Sequence, residues 1–357
     1  MNKPKKLNVG DKVAIVSLSR GILGEPFAAH EIVIGNKRLE EFGLIPVYMP
    51  NAKKGIKYLH DHPEARAADL KQAFLDPSIK GVFCAIGGDD TINTIPYLLD
   101  DTEFISCVKD NPKVFLGFSD STNNHLMFYT LGLQTYYGQS FLIDFAELAD
   151  DMLPYTKEWS RELLHPSPQK EIESSAVWYD DRTDFGTDQV GVARVSHKET
   201  RGFEVLSGKG ILEGRLLGGC IESLYEMLVG ARFPKQVEIT KKYGLFPSTE
   251  EWKDKILFVE TSEERPNPEK MEKILTTLDE AGVFDAVKAV LVGKPQDEQF
   301  YEEYKEAWLT VASRKNLPII YNMNFGHAAP RCILPYGGLV KVDFDQAKVY
   351  LLEPLVS

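Results

Sequence analysis

The chain has no hydrophobic run that approaches the roughly 20 apolar residues of a membrane-spanning helix. Near its start, the apolar run at residues 13–18 is too short for the core of a secretory signal. Its four cysteines, Cys84, Cys107, Cys220 and Cys332, are far apart and include no CxxC pair, which argues against a zinc knuckle. We therefore expect a reduced protein of the cytoplasm, without a bound metal and without a membrane partner.

Basic residues are also fewer than acidic residues. There are 41 Lys and Arg against 53 Asp and Glu, which gives a net charge of −12. Such a charge disfavours a nucleic acid polymer or an anionic membrane as the main partner. A small molecule or a peptide is the expected ligand.

At 357 residues, the chain exceeds the size at which one hydrophobic core usually stops growing, so we expect two domains. Residues 1–165 alternate between apolar β-rich runs and segments with helical patterning. The runs are apolar throughout, as in strands that are buried on both faces. These features predict a Rossmann-like, doubly wound α/β domain, in which ligands bind beyond the carboxyl ends of the strands.

The pattern changes after this first domain. Residues 166–210 consist of short β-prone pieces broken by polar clusters, and we interpret them as a linker and a substrate-facing loop. Residues 211–357 return to strands and helices and end in two alternating segments about Asp345-Gln346, which predict a hairpin. We therefore predict a smaller, β-containing C-terminal domain.

The stretch "KVFLGFSDST" places Ser119 between a predicted strand and a predicted helix. It resembles the nucleophile elbow G-x-S-x-G of hydrolases, with Ser121 in place of the second Gly. The alternative is helix capping, because Ser119, Asp120 or Ser121 could each accept a hydrogen bond from the first helical turn. The turn alone leaves both interpretations open.

A serine nucleophile needs a base, and seven histidines are available. His327 lies in the small-residue loop "FGHAAP", which is a suitable mount for a base, although it could also be a loop residue with no task. His60 and His62 form an H-x-H pair that suggests a metal, but no carboxylate cluster completes the site. The remaining four lie in polar or amphipathic segments: His30, His125, His165 and His197.

The base in turn needs a carboxylate that orients it. Glu260 ends the apolar run "KILFVE", where a charge is expensive unless it is paired. Glu263 and Glu264, by contrast, read as a solvated loop. Glu260 is therefore the predicted acid.

The stretch "VFCAIGGDDT" places Gly87-Gly88 at the end of another predicted strand. Backbone N–H groups there suit an anion. The stretch resembles the GGDGT motif of lipid and NAD kinases, so a nucleotide-dependent kinase is the alternative from a different class, although Asp90 replaces the third Gly. An oxyanion hole would use the same N–H groups.

Six segments in this order resemble the serial motifs of the LD-carboxypeptidase and microcin-immunity family of serine peptidases: "AIGGDDT", "FLGFSDST" with "YYGQSF", "LLGGCIESL", "LFVETSEE", "VGKP" and "NMNFGHAAPRCILPYGG". The resemblance runs from near Gly10 to the C-terminus. It implies a Rossmann-like domain followed by a smaller β-containing domain, no cofactor, and a homodimer.

The resemblance also implies the roles of individual residues. The nucleophile is Ser119, the acid is Glu260 and the base is His327. The backbone N–H groups of Gly88 and Asp120 are the implied oxyanion hole.

Two branches of the family imply different substrates. One removes the terminal D-Ala from muropeptide tetrapeptides, and the other cleaves aminoacyl-nucleotides of the microcin C type. The chain's length, its extended ETSEE loop and an aromatic residue at Trp178 favour the second branch. Trp178, for base stacking, and Asp89 are the predicted substrate-binding residues, although Trp178 could instead anchor the linker. A binding-only protein that sequesters an acyl-nucleotide is a further alternative.

Overall fold

The computed structural model describes all 357 residues, and the chain divides into two compact units. The first contains residues 1–166, 182–194 and 356–357, and the second contains residues 167–181 and 195–355. The segment 166–210, which the sequence predicts to be a linker, is thus distributed between the units, and 182–194 belongs to the first.

The first unit contains a parallel sheet in the strand order β5-β4-β3-β1-β2. Its strands are β1 Lys12–Val16, β2 Ile45–Tyr48, β3 Ile79–Cys84, β4 Val114–Gly117 and β5 Tyr136–Tyr137. Every residue of β4 is buried, which explains why this run is apolar throughout rather than alternating.

Helices connect these strands, as the sequence predicts for a doubly wound domain. They are α1 Ala29–Glu41, α2 Ile56–Asp61, α3 Pro63–Leu75, α4 Ile95–Leu99, α5 Thr102–Asp110, α6 Thr122–Thr130 and α7 Pro154–Arg161. Helix α3 begins at Pro63, where a missing N–H has no intrahelical partner to lose. The Rossmann-like interpretation of the N-terminal part is confirmed.

The second unit contains an eight-stranded sheet in the order β6-β16-β15-β10-β11-β12-β13-β9, and β7 pairs with β8 beside it. These strands are β6 Lys170–Ile172, β7 Val177–Tyr179, β8 Ser196–Lys198, β9 Glu204–Ser207, β10 Ile211–Cys220, β11 Lys255–Glu260, β12 Ala289–Gly293, β13 Ile319–Met323, β15 Leu339–Asp343 and β16 Lys348–Leu351. The two-residue strand β14 Leu334–Pro335 belongs to neither the sheet nor the pair. The four central strands, β10 to β13, are parallel, and the outer strands are antiparallel.

The helices of the second unit are α8 Ile221–Val229, α9 Pro234–Tyr243, α10 Thr249–Trp252, α11 Pro268–Glu280, α12 Val283–Ala286 and α13 Tyr301–Lys315. The predicted terminal hairpin is present as β15 and β16, which pair in antiparallel register from Val340 with Leu351 to Asp343 with Lys348. Glu260 is the last residue of the central strand β11, so the fold places this carboxylate at the carboxyl edge of the parallel strands.

None of the helices combines the length and the apolar content that crossing a membrane requires. All four cysteines are free thiols, and three of them are buried.

Candidate active site

Ser119 lies on a tight turn between β4 and α6. It has a φ of +64°, a left-handed conformation that is uncommon for a residue with a side chain and stores strain. A short 3-10 turn, Ser119–Ser121, then leads directly into α6. The backbone N–H of Ser119 donates to the hydroxyl of Tyr137 at 3.1 Å. This strand, strained turn and helix are the geometry of a nucleophile elbow.

The side chains of this turn do not cap α6. Ser121 is the N-cap residue of α6, but its side chain makes no capping hydrogen bond. The carboxylate of Asp120 instead accepts hydrogen bonds from the hydroxyl of Ser19 at 2.6 Å and the backbone N–H of Thr91 at 2.8 Å. The polar residues of this turn therefore do not serve to start the helix.

Gly87 and Gly88 follow β3 and lie against the Ser119 turn. A Cβ atom at position 87 would lie 2.7 Å from the Cβ of Ser119 and 2.9 Å from its Oγ. A Cβ atom at position 88 would lie 2.3 Å from the hydroxyl of Ser19, and Gly88 also has a φ of +148°. Only glycine fits at both positions, so the Gly-Gly pair allows the loop backbone to reach the serine.

Two backbone N–H groups, one in the Gly-Gly loop and one in the Ser119 turn, are unused. Neither the N–H of Gly88 nor that of Asp120 donates a hydrogen bond. Asp120 follows Ser119 directly, and its nitrogen would lie 3.5 Å from a Cβ atom at position 87. Paired donors without acceptors are what a developing oxyanion requires.

A buried ion pair fixes the same loop. The guanidinium of Arg66 donates to both carboxylate oxygens of Asp90, at 2.5 and 3.2 Å, and to the carbonyl oxygen of Leu18 at 3.0 Å. Burial raises the pKa of the Asp120 carboxyl to about 6, although its hydrogen bonds from Ser19 and Thr91 oppose the rise. Asp90, which replaces the third Gly of the kinase motif, is thus a buried structural residue held by Arg66.

Glu260 and His327 form a buried pair in the second unit. The Nδ1 atom of His327 lies 2.7 Å from Oε2 of Glu260, and the backbone N–H of His327 donates to the same oxygen at 3.0 Å. The side chain of Glu260 has no exposed surface. The structure thus brings together the two residues that the sequence predicts as acid and base, and their geometry is that of an oriented imidazole.

Two glycines provide the space for this pair. A Cβ atom at Gly326 would lie 2.2 Å from Cγ of Glu260, and Gly326 has a φ of +87°. A Cβ atom at Gly293 would lie 2.7 Å from Cβ of Glu260. These are the glycines of "FGH" and "VGKP", so both segments are explained by clearance around one carboxylate.

Glu263 corrects one sequence-based expectation. Its side chain is 61% exposed, as a solvated loop residue would be, but its Oε2 atom lies 2.9 Å from Nε2 of His327. The hydroxyl and backbone N–H of Ser262 both bond to buried Glu222 and fix the adjacent loop. Residue type alone could not reveal this contact, since only the fold brings "FGH" next to "ETSEE".

His327 is therefore held between two carboxylates. Burial alone lowers the pKa of the imidazole, but Glu260 and Glu263 outweigh it and raise the pKa to about 10. Partial desolvation raises the pKa of Glu263, and its hydrogen bond and ion pair with His327 outweigh this effect and lower the pKa to about 2. In this arrangement the imidazole is protonated at neutral pH.

Trp178 lies on β7 and is half-buried. Its ring stacks on His197 at 4.1 Å between centroids and 20° between planes, and the ammonium of Lys294 lies 5.1 Å from its centroid. Lys294 is 1% exposed and pairs with Glu199 at 3.0 Å and Glu298 at 2.6 Å. The sequence analysis did not predict that Lys294 and His197 contact Trp178. The available signal was that Lys294 directly follows a buried strand, where a charge is unfavourable unless it is paired.

Asp89, His60 and His62 lie outside the Glu260–His327 pair and the Trp178 cluster. Asp89 is exposed at the surface of the Gly-Gly loop. His60 and His62 bond to separate carboxylates, Asp90 and Glu64, and the chain contains no group of three or more His, Cys, Asp and Glu placed to hold a metal.

The expected polar or amphipathic setting of His125 is wrong. This residue is fully buried and lies between the hydroxyl of Thr135, at 2.8 Å, and the carbonyl oxygen of Gly117, at 3.0 Å. Burial lowers its pKa to about 3. It is a neutral structural residue beneath the Ser119 turn, and its apolar neighbours in α6 were the available signal.

Comparison with known proteins identifies the class. Residues 13–138 match the model of the LD-carboxypeptidase N-terminal domain, and residues 213–342 match that of the C-terminal domain. The chain is a peptidase. It belongs to the LD-carboxypeptidase family, and the resemblance inferred from its sequence is confirmed.

Individual relatives cover most of the chain. A crystal structure of an MccF-like protein from Streptococcus pneumoniae in complex with AMP is 47% identical, with a TM-score of 0.91, over 95% of this chain and 98% of that one. The putative carboxypeptidase YocD of Bacillus subtilis is 29% identical over 95% of each chain. The Microcin C7 self-immunity protein MccF of Escherichia coli is 26% identical over 82% of this chain and 79% of its own.

Proposed function

We propose that the protein is a serine peptidase in which Ser119, His327 and Glu260 act as one catalytic triad. The observation that carries the proposal is the buried pair in which Glu260 holds Nδ1 of His327 at 2.7 Å. In such a pair Nδ1 is held by the carboxylate, and Nε2 is the nitrogen that exchanges a proton with a serine hydroxyl. The strained turn at Ser119, with its φ of +64°, supplies a hydroxyl suited to that role.

In the proposed reaction, Nε2 of neutral His327 takes the proton of Ser119 as Oγ attacks the scissile carbonyl carbon. The carbonyl oxygen becomes an oxyanion, which the N–H groups of Gly88 and Asp120 stabilise. The C–N bond then breaks, and His327 returns the proton to the leaving nitrogen. Water attacks the acyl-enzyme by the same steps and restores Ser119. No cofactor is needed.

The proposed substrate is an aminoacyl-nucleotide or a peptidyl-nucleotide of the microcin C type, cleaved at the amide that joins the acyl group to the nucleotide. Two relatives support this choice: the 47% identical protein was solved with AMP, and another is a microcin self-immunity protein. The alternative is a muropeptide tetrapeptide that loses its terminal D-Ala, which the carboxypeptidase relatives favour.

Trp178 and Asp89 are the proposed substrate contacts. Trp178 is half-buried and already stacks on an imidazole, and an aromatic face of this kind also suits a nucleobase. Asp89 lies on the exposed side of the Gly-Gly loop, next to the proposed oxyanion donors. We further propose that the enzyme acts in the cytoplasm as a homodimer, and sedimentation of the purified chain tests the dimer.

The decisive experiment supplies both substrate classes to the same enzyme. The purified protein is incubated with a muropeptide tetrapeptide and, separately, with aspartyl sulfamoyl adenosine, and the products are identified by mass. Release of sulfamoyl adenosine supports the nucleotide substrate, and release of D-Ala supports the alternative. A Ser119→Ala variant that retains the wild-type rate would refute the triad, and ligand binding without turnover in the wild type would favour a binding-only protein.

A further inference from the structure

Glu263 contacts Nε2 of His327, the nitrogen that must accept the serine proton in the proposed mechanism. Its Oε2 lies 2.9 Å from Nε2 of His327, whereas Nδ1 is bound to Glu260. If His327 is the base, Nε2 must accept the proton of the serine, but in this arrangement it donates its own proton to a carboxylate. The inference rests on the proposed function, because it concerns what frees this nitrogen.

Glu263 can leave this position without disturbing a core. Its side chain is 61% exposed, and Ser262 before it and Arg265 two residues after it are fixed by other partners. Ser262 bonds to Glu222 at 2.8 Å through its hydroxyl, and Arg265 pairs with Asp297. A rotation of the Glu263 side chain alone therefore uncovers Nε2 while the loop stays in place.

A carboxylate that leaves an imidazolium needs another cation, since separating the pair is unfavourable without one. The neighbouring basic residue, Arg232, is already bound to Glu264. Arg265 is already bound to Asp297. The cation that draws Glu263 away must therefore come from the substrate.

Aminoacyl-nucleotides with a free α-amino group carry such a cation. Covalent geometry places this nitrogen about 2.5 Å from the carbonyl carbon, because N–Cα and Cα–C are single bonds at a near-tetrahedral angle. A triad brings Nε2 within hydrogen-bond reach of the attacking Oγ. The ammonium group of a bound substrate thus arrives within a few ångströms of the resting carboxylate.

We propose that Glu263 is a specificity-determining residue for a cationic acyl group. It rests on Nε2 of His327 in the free protein, transfers to the ammonium group beside the scissile carbonyl when substrate binds, and so frees the base. A substrate that lacks this ammonium group leaves Glu263 on His327 and is cleaved slowly.

The first test needs no assumption about the substrate. A fluorophosphonate probe carries no ammonium group, so it cannot draw Glu263 away from His327. Its reaction with Ser119 is therefore slowed as long as Glu263 holds Nε2. Glu263→Gln should be labelled at Ser119 at least tenfold faster than the wild type at pH 7, because a neutral amide holds the imidazole less tightly. Glu272→Gln, which removes the charge of an exposed glutamate on α11, should be labelled at the wild-type rate.

The second test compares aspartyl sulfamoyl adenosine with succinyl sulfamoyl adenosine, which differs only in lacking the amino group. The wild type and Glu272→Gln should prefer the aspartyl compound at least tenfold in kcat/KM, and Glu263→Gln should lose that preference. Melting curves of all three proteins verify folding.

Each remaining outcome overturns the inference. Equal labelling of Glu263→Gln and the wild type would show that Glu263 does not restrain the base. A preference for the aspartyl compound that survives Glu263→Gln would show that Glu263 does not recognise the ammonium group. The same conclusion follows if the aspartyl compound is neither cleaved nor protects Ser119 from labelling. If Ser119 is labelled in no variant, the proposed triad itself fails, and the inference fails with it.

Discussion

A single oxygen atom of Glu260 holds His327 at two points: Oε2 accepts the backbone N–H at 3.0 Å and lies 2.7 Å from Nδ1 of the ring. The carboxylate therefore fixes both the backbone of the His327 loop and the imidazole ring. It also favours the tautomer with a proton on Nδ1. Its removal should affect orientation and charge together.

Glu260→Gln should lower kcat by about 10³ to 10⁴, because the amide can no longer enforce this tautomer or stabilise the imidazolium. KM should change little. Steady-state kinetics on the substrate identified by mass provide the measurement. Glu226→Gln, a charge removal at another buried glutamate of the same unit, is the control, and equal losses in both variants would contradict the orienting role.

Ser119→Ala should lower the rate by about 10⁴ to 10⁶, since the nucleophile of a triad cannot be replaced by binding alone. It should also abolish labelling by a fluorophosphonate. Ser121→Ala is the matched control, because Ser121 is a buried serine of the same turn and should remain within a few-fold of wild type. Labelling that persists in Ser119→Ala would place the nucleophile elsewhere.

Gly326→Ala should abolish activity and lower the free energy of unfolding by more than about 2 kcal/mol, because it combines backbone strain with a clash. The added Cβ would lie 2.2 Å from Cγ of Glu260. Gly244→Ala is the control, since Gly244 also has a positive φ, +60°, but nothing lies within 4 Å. It should lose only about 1 kcal/mol in urea unfolding and keep full activity. Similar losses in both variants would contradict the clash.

Trp178→Ala should raise KM for aspartyl sulfamoyl adenosine by roughly 5-fold to 150-fold, the range that corresponds to about 1–3 kcal/mol of base stacking. Trp178→Phe keeps an aromatic face and should be affected less. An equal effect on a muropeptide tetrapeptide would indicate that Trp178 only supports the fold. Kinetics with both substrates separate these outcomes.

The stability of the protein should depend on pH through His327 and Glu263. The pKa of His327 is raised from 6.5 to about 10 in the folded protein, so its contribution is fully present below pH 6.5 and is lost as the pH rises towards 10. The pKa of Glu263 is lowered from 4.5 to about 2, so its contribution is present above pH 4.5 and is lost as the pH falls towards 2.

The melting temperature should consequently be highest between about pH 4.5 and 6.5 as far as this pair is concerned. His327→Gln removes both effects, so its melting temperature should fall less than that of the wild type between pH 7 and 10. Differential scanning calorimetry over this range provides the comparison. Parallel curves for the two proteins would show that the pair contributes nothing to stability.

Periodicity predicted the Rossmann-like domain, and residue type together with the family resemblance predicted Glu260 and His327. A buried run such as β4 has a pattern that only a strand covered on both faces explains, and a charge at the end of β11 demanded a partner. Contacts made by exposed or apolar-flanked polar residues were not predictable, because they depend on which loops the fold brings together. Glu263 and His125 are the two examples, one at the surface and one in the core.

The left-handed backbone at Ser119 has a consequence for the energetics of the whole chain. A residue with a Cβ at a φ of +64° loses on the order of 1 kcal/mol relative to glycine. Ser119→Gly should therefore yield an inactive protein that melts at a higher temperature than the active one. The position is thermodynamically suited to glycine, and the hydroxyl is present there at the expense of folding stability.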